Sequence, residues 1–230
     1  PCTAMTAMPT RAVTLDAFGT LIAMDPPAPL LSAALADDGY AIPADVVEDA
    51  LRREIAHYRA RMHIGADAAG VEELRAECGA VLADALGPAG PDPATATQML
   101  LRSLRFRLHH DVPGLLDAAD AWGVRMAVVS NWDAALAGHL HRLGVADRLA
   151  VVLASAAVGA AKPDPEIFLQ AARAMDVDPA AVLHVGDRRR EDYEGARAAG
   201  MRAVLLDRTG TLRGPDVVHS LDQVATGITP

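Results

Sequence analysis

The sequence predicts an α/β protein: a doubly wound parallel sheet with an all-helical segment inserted after its first strand. Three observations lead there. From Pro113 onward, short apolar runs alternate with segments of helical period, as in the βα units that build a parallel sheet. One more strand-like run, Val13-Thr14-Leu15, stands alone near the start. Between the two, residues 23 to 110 show only helical periodicity and turn residues.

Taken in order, the first run delivers Asp16 to a strand's C-terminal end, with Gly19 and Thr20 just beyond. Open α/β sheets place their chemistry at that edge. Asp25-Pro26-Pro27-Ala28-Pro29 is a stiff turn, because each proline fixes φ. A short helix is expected from Leu30 to Ala36. Val47, Leu51, Ile55, Tyr58 and Met62 then recur at helical spacing, with Gly65 as a stop. A second long helix carries Leu74, Cys78, Val81 and Leu82 and ends near Gly87-Pro88. After the break at Gly90-Pro91-Asp92-Pro93, a third carries Leu100, Leu101, Leu104 and Leu108.

Beyond these, Leu115 to Trp122 is a helix, and Val124 to Val129 is a strand ending in Ser130-Asn131. Leu136, Leu140 and Leu143 mark a helix, and Leu149 to Leu153 a strand. Asp164-Pro165-Glu166 is a helix start, an N-cap followed by proline at the first position, with Phe168, Ala171, Ala172 and Met175 facing inward. Ala181 to Val185 is a strand ending at Gly186-Asp187, residues 190 to 199 are helical, and Ala203 to Leu206 is the fifth strand. The tail after about 208 reads as loop-rich, with no further pattern. The expected division is a core of residues 10–22 and 111–230 and a helical cap of residues 23–110. Over the strand ends, such a cap would exclude water and choose the substrate.

Composition narrows the function. The net charge of −9 disfavours nucleic acid, whose phosphate backbone needs a broad basic surface. A small anionic substrate needs only a few local cations or helix N-termini. No apolar run reaches the roughly 18 residues of a membrane span, and the first residues show no secretory pattern. With only Cys2 and Cys78, far apart, a reduced cytoplasmic setting is expected, for a monomer or homodimer. Of 21 basic residues, Lys162 is the only lysine, which suggests a place for a compact ammonium rather than a planar guanidinium.

Four polar clusters follow the apolar runs: Asp16; Ser130-Asn131; Lys162; and Gly186-Asp187 with Asp192 five residues on. Parallel strands bring their C-terminal ends to one edge, so these groups can meet. A carboxylate there can act as a nucleophile, and a second can complete an oxygen-ligand site for a divalent metal. Lys162 can neutralise nucleophile and phosphoryl group together, and Ser130 with backbone N–H groups can bind oxyanions.

Asp16-Ala17-Phe18-Gly19-Thr20, Ser130-Asn131, Lys162-Pro163-Asp164-Pro165 and Gly186-Asp187 with Asp192, in this order, resemble the four motifs of the haloacid dehalogenase (HAD) superfamily. Most of its members are magnesium-dependent phosphatases with a Rossmann-like core, and the helical insertion resembles the family's C1-type cap. The resemblance implies an aspartyl-phosphate formed on Asp16. It implies Mg²⁺ held by Asp16, the Phe18 backbone carbonyl, Asp187 and Asp192. Ser130 and Lys162 would be catalytic, and Gly19, Thr20 and Asn131 would bind a small phosphorylated metabolite.

One residue departs from the pattern. Family phosphatases usually carry a second Asp two residues after the nucleophile, to protonate the leaving group. Here it is Phe18, which moves no proton, and a general acid contributes roughly 10²–10⁴ in rate. Family dehalogenases often carry an aromatic there, which makes a metal-independent 2-haloacid dehalogenase the alternative, with a catalytically weak binding protein behind it. Asp187 and Asp192 favour the metal-dependent hydrolase, since such a pair beside Asp16 is repulsive without a cation. His57, His63 and Tyr58 are candidate substitutes for the acid, although solvated histidines and a core tyrosine account for them better. His184 is expected to be a packed core histidine and His109-His110-Asp111 a solvated helix end. Arg188-Arg189-Arg190 either draws an anion or is a solvated helix start.

Overall fold

The computed structural model describes residues 9–228; the expectations about residues 1–8, Cys2 among them, lie outside these. In chain order the strands are β1 (Ala12–Leu15), β2 (Ile22–Met24), β3 (Phe106–Leu108), β4 (Arg125–Ser130), β5 (Val151–Ala154), β6 (Val182–Gly186), β7 (Arg202–Leu206) and β8 (Val217–Val218). The helices are α1 (Pro27–Asp37), α2 (Ala44–Arg61), α3 (Ala68–Leu86), α4 (Pro93–Ser103), α5 (Val112–Trp122), α6 (Leu136–Arg142), α7 (Ser155–Val158), α8 (Pro165–Ala174), α9 (Gly195–Ala198) and α10 (Leu221–Gly227). No helix among the described residues is long and apolar enough to cross a membrane.

Six strands form one all-parallel sheet in the order β5-β4-β1-β6-β7-β8. The chain winds outward from β1 through β4 and β5, then crosses back to place β6 on the other side of β1. The order reverses at β1, and the crevice outside the strand ends at such a reversal is where doubly wound sheets bind ligands. Period-two side chains build both faces. Val13, Leu15, Met126 and Val128 pack with α5, α6 and α10 on one face. Ala12, Ala127 and Val129 pack with α8 and α9 on the other. A third apolar cluster joins α1 to α4, with Leu31, Val47, Leu74, Leu82 and Met99 at its centre.

Prolines and aspartates set several helix starts as expected. Asp92 accepts from the N–H groups of Ala94 and Thr95, and Asp164 from that of Glu166, each before a proline at the first position. One expectation needs correction, and two others gain detail. The third inserted helix stops at Ser103, and Phe106–Leu108 is a strand: Leu108 pairs with Ile22 and Phe106 with Met24 in an antiparallel ribbon. The loop-rich tail also carries β8 and α10. The segment expected to be helical from 190 to 199 is helical, with a π-helix over Arg189–Glu194 leading into α9.

Candidate active site

The C-terminal ends of three strands supply the polar groups. Asp16 follows β1, Ser130 ends β4 and Asp187 follows β6. Lys162 comes from the loop between α7 and α8, and Asp192 from the turn after β6. The Lys162 ammonium, only 5% exposed, donates to Asp16 Oδ1 at 2.5 Å and also to Asp192 Oδ1. Ser130 Oγ donates to Asp16 Oδ1 at 3.0 Å. Both donors take the same oxygen, so Asp16 Oδ2 has no protein donor among the described residues.

Burial would push the Lys162 ammonium down, but Asp16 and Asp192 outweigh it and hold the group charged. Burial pushes Asp16 up; Lys162 pulls it back and the Asp192 charge adds to the rise. Burial also works against Asp192, yet His184 and Lys162 hold it well below the usual carboxylate range. His184 is fully buried, as expected. Its Nδ1 pairs with Thr14 Oγ1 at 2.9 Å and its Nε2 with Asp192 Oδ1 at 3.3 Å. Burial keeps the ring neutral; with the proton on Nε2 facing Asp192, Nδ1 accepts from the hydroxyl.

Asp16, Asp187 and Asp192 each bring a carboxylate oxygen within 4.8 Å of the others. An all-oxygen, acidic set suits a hard divalent cation. The backbone is shaped to permit this crowding. Gly19 has φ +91°, and a Cβ there would meet Asp187 Oδ2 at 2.4 Å; a Cβ on Gly186 would meet Asp192 Cγ at 2.2 Å. Desolvation and the charges of Asp16 and Asp192 push Asp187 up to about 6. Its unfolded value is about 3.9, so the native protein holds an extra proton between roughly pH 4 and 6, and stability without metal falls as pH rises through that window. Melting temperature measured against pH in EDTA should show this decline. Asp187→Asn should flatten it, and Mg²⁺ should raise the wild-type value more at pH 7.5 than at pH 5.

The other predicted residues are placed differently. Both polar atoms of the Asn131 side chain bind the backbone of Lys162: Nδ2 donates to its carbonyl at 2.9 Å and Oδ1 accepts from its N–H at 2.8 Å. Asn131 therefore positions the lysine, and since it lines the cavity its second Nδ2 proton is left for a ligand. Thr20 is completely buried and its hydroxyl has no partner, so it lies behind the site. The Gly19 N–H is bound to the Ile22 carbonyl at 2.8 Å. The Phe18 side chain is 42% exposed and meets Trp132 edge-on, with centroids 6.4 Å apart. Of the substitute acids, His57 pairs with Glu77 and His63 is exposed. Tyr58 donates to Asp133 Oδ2 at 3.1 Å.

A cavity of about 930 Å³ opens from Asp16, Ser130 and Lys162 toward the inserted helices, where Ile55, Leu74 and Leu100 line it. Two contacts fasten the helices there: Tyr58 to Asp133, and the Gly65 carbonyl to the Ala134 N–H at 2.8 Å. Arg188 lines the same cavity, while Arg189 and Arg190 do not.

Sequence reasoning missed a brace behind the first motif. Arg208 donates to both oxygens of Asp111, at 2.8 and 3.0 Å, and to the carbonyls of Thr20 at 2.8 Å and Gly19 at 3.3 Å. Asp111 also accepts from the Leu221 N–H. It is buried, which corrects the solvated helix end expected at His109-His110-Asp111. Arg208→Met leaves that carboxylate without its cation, so a loss of about 2–3 kcal/mol in urea unfolding is expected. An unfolding curve that matches the wild type would show the brace to be dispensable.

Residues 10–200 match the haloacid dehalogenase-like hydrolase family. The human haloacid dehalogenase-like hydrolase domain-containing protein 3 is 45% identical over 84 residues, covering 36% of this chain and 34% of that protein. The phosphoserine phosphatase of Thermus thermophilus is 34% identical over 148 residues, covering 60% of this chain and 59% of that one. This chain thus spans a third and somewhat under two thirds of the lengths of these two relatives. Among solved structures, a 2-haloacid dehalogenase from Pseudomonas syringae superposes with a TM-score of 0.65 at 28% identity, covering 94% of this chain and 96% of that one. With a matched family over most of its length and a sheet of the corresponding architecture, the chain belongs to the haloacid dehalogenase-like hydrolases.

Proposed function

We propose that the chain is a Mg²⁺-dependent phosphatase that takes a phosphoryl group from a small phosphorylated metabolite onto Asp16 and then releases it to water. The observation that carries this reading is the group of three carboxylates around a single ammonium. Asp16, Asp187, Asp192 and the Phe18 backbone carbonyl would hold the metal, which when bound offsets the negative charge shared by carboxylates and phosphate. Asp16 Oδ2 attacks phosphorus. The bond from phosphorus to the ester oxygen breaks, and its electron pair leaves with that oxygen. Water then attacks the phosphorus of the acyl phosphate and frees the carboxylate. Ser130 and Lys162 hold Oδ1 and so fix the direction of attack. Residues 23–110 serve as a C1-type cap whose closure excludes water. The relative from Thermus thermophilus, named a phosphoserine phosphatase, supports the reaction class.

The second reading, a metal-independent 2-haloacid dehalogenase, draws on Phe18 and on the Pseudomonas syringae structure of that name. The carboxylate trio speaks against it, since Asp187 pushed up to about 6 marks a crowd of charge that a cation would relieve. Acetyl phosphate and 4-nitrophenyl phosphate should release phosphate with Mg²⁺ and not in EDTA. Halide release from 2-chloropropionate in EDTA would decide for the dehalogenase instead.

A further inference from the structure

We infer that the substrate is an aryl phosphate monoester, with an aromatic alcohol as its leaving group. This rests on the phosphatase reading and narrows it. The first observation is where the aromatic residues lie. The chain has only three Phe, two Trp and three Tyr, and four of these eight, Phe18, Tyr58, Phe106 and Trp132, line the cavity that opens on Asp16. Three of them form a continuous wall. Phe18 meets Trp132 at 6.4 Å between centroids, and Trp132 meets Phe106 at 5.5 Å. His139 extends that wall, 4.8 Å from Phe106, with its ring kept neutral by burial and by Arg142 and Arg75, its pKa held down to about 4. Edge and face contacts of this kind favour a planar aromatic guest.

The second observation is Phe18 itself. A phenyl side chain 42% exposed two residues from the nucleophile has apolar surface left for a guest to cover. The third is that Phe18 brings no proton to the leaving group and that the protic groups nearest Asp16 are engaged, Asp187 among the residues that would hold the metal and Glu54 with Cys78. Ser130 and Lys162 both donate to Asp16, and Tyr58 donates to Asp133. An alkoxide cannot leave well without a proton, whereas a phenolate, the base of an acid with pKa of about 10, departs with its electron pair and is protonated by solvent. The fourth is size. The 930 Å³ cavity lies near the top of the range of roughly 300–1,000 Å³ for small-molecule sites, so a ring system fits where a three-carbon ester would leave most of the volume to water.

Two measurements with Mg²⁺ test this. Phenyl phosphate and cyclohexyl phosphate match in size and differ in leaving group; phenyl is expected to exceed cyclohexyl in kcat/KM by about a thousandfold, the range left open by a missing general acid. Phenylphosphonate, which is not hydrolysed, should shift the fluorescence of Trp132 and bind about tenfold more tightly than methylphosphonate. A phenyl-to-cyclohexyl ratio within tenfold overturns the inference, and so do equal affinities of the two phosphonates. Acetyl phosphate separates the two levels of failure. If its Asp16-dependent hydrolysis persists while either aryl preference is missing, only the inference falls. If no monoester and no acetyl phosphate is turned over, the phosphatase reading falls and takes the inference with it.

Discussion

Asp16→Asn is expected to lower phosphate release by about four orders of magnitude or more, because it removes the proposed nucleophile itself. The fold should survive. Lys162 keeps its pairing with Asp192, and an amide oxygen at position 16 can still accept from Ser130 and Lys162. Removing one of three crowded charges also relieves repulsion. Asp187, pushed up to about 6 in part by Asp16, returns toward the ordinary carboxylate range. The melting temperature in EDTA at pH 7.5 should therefore equal or exceed that of the wild type, while its rise with Mg²⁺ shrinks. Residual turnover above about one per cent would place the nucleophile elsewhere, because losing an attacking group costs far more than that. A collapse in melting temperature would show Asp16 to be a structural residue.

Lys162→Met has the opposite balance. It removes the cation that two buried carboxylates share, and breaking a buried pair costs about 3–5 kcal/mol. Activity should be lost together with much of the stability. The loss should depend on pH in a defined direction. His184 and Lys162 together hold Asp192 below its unfolded value in the wild type; without Lys162, burial raises Asp16 further and Asp192 moves up from its wild-type value, held by His184 alone. Groups raised in this way destabilise the native state when ionised and cease to do so as they are protonated. The deficit of Lys162→Met relative to wild type should thus narrow as pH falls from 7.5 to 5. Urea titrations at the two pH values measure it; a deficit that grows toward pH 5 would contradict the buried-pair account. Lys162→Arg should not restore activity, since a planar guanidinium cannot place one compact charge between two carboxylates.

The parts of this site that were legible in the sequence are those carried by strong local patterns. Asp16, Ser130 and Asp187 each close an apolar run, and parallel pairing alone brings such positions to one edge. Lys162 stood out because every other cation is arginine. What escaped notice depends on contacts between residues remote in sequence. Arg208 and Asp111 are 97 positions apart, and one arginine among twenty, in a loop, gives no sign that it braces the first motif. Asn131 was legible as part of the site, but only the structure shows its amide holding the Lys162 backbone. Leu108 continues the helical spacing of Leu100, Leu101 and Leu104, so periodicity extended α4 too far; strand pairing with Ile22 overrides that weak local preference. Val217 and Val218 form too short a run to read as a strand, and they become one only because β7 offers an edge.

The ribbon of β2 and β3 also bears on the order in which the molecule can assemble. Pairing β1 with β4 joins Leu15 to Val128, with more than a hundred residues between them. The ribbon joins Ile22 to Leu108, the two ends of the inserted helices. Once it is closed, the chain separating β1 from β4 is in effect roughly thirty residues long, and the entropy of closing that loop falls by about 1 kcal/mol. Nucleation of the central sheet is to that extent released from the length of the insertion. Helices can be lengthened, shortened or exchanged between Met24 and Phe106 with little effect on how fast β1 finds β4, provided the ribbon still forms.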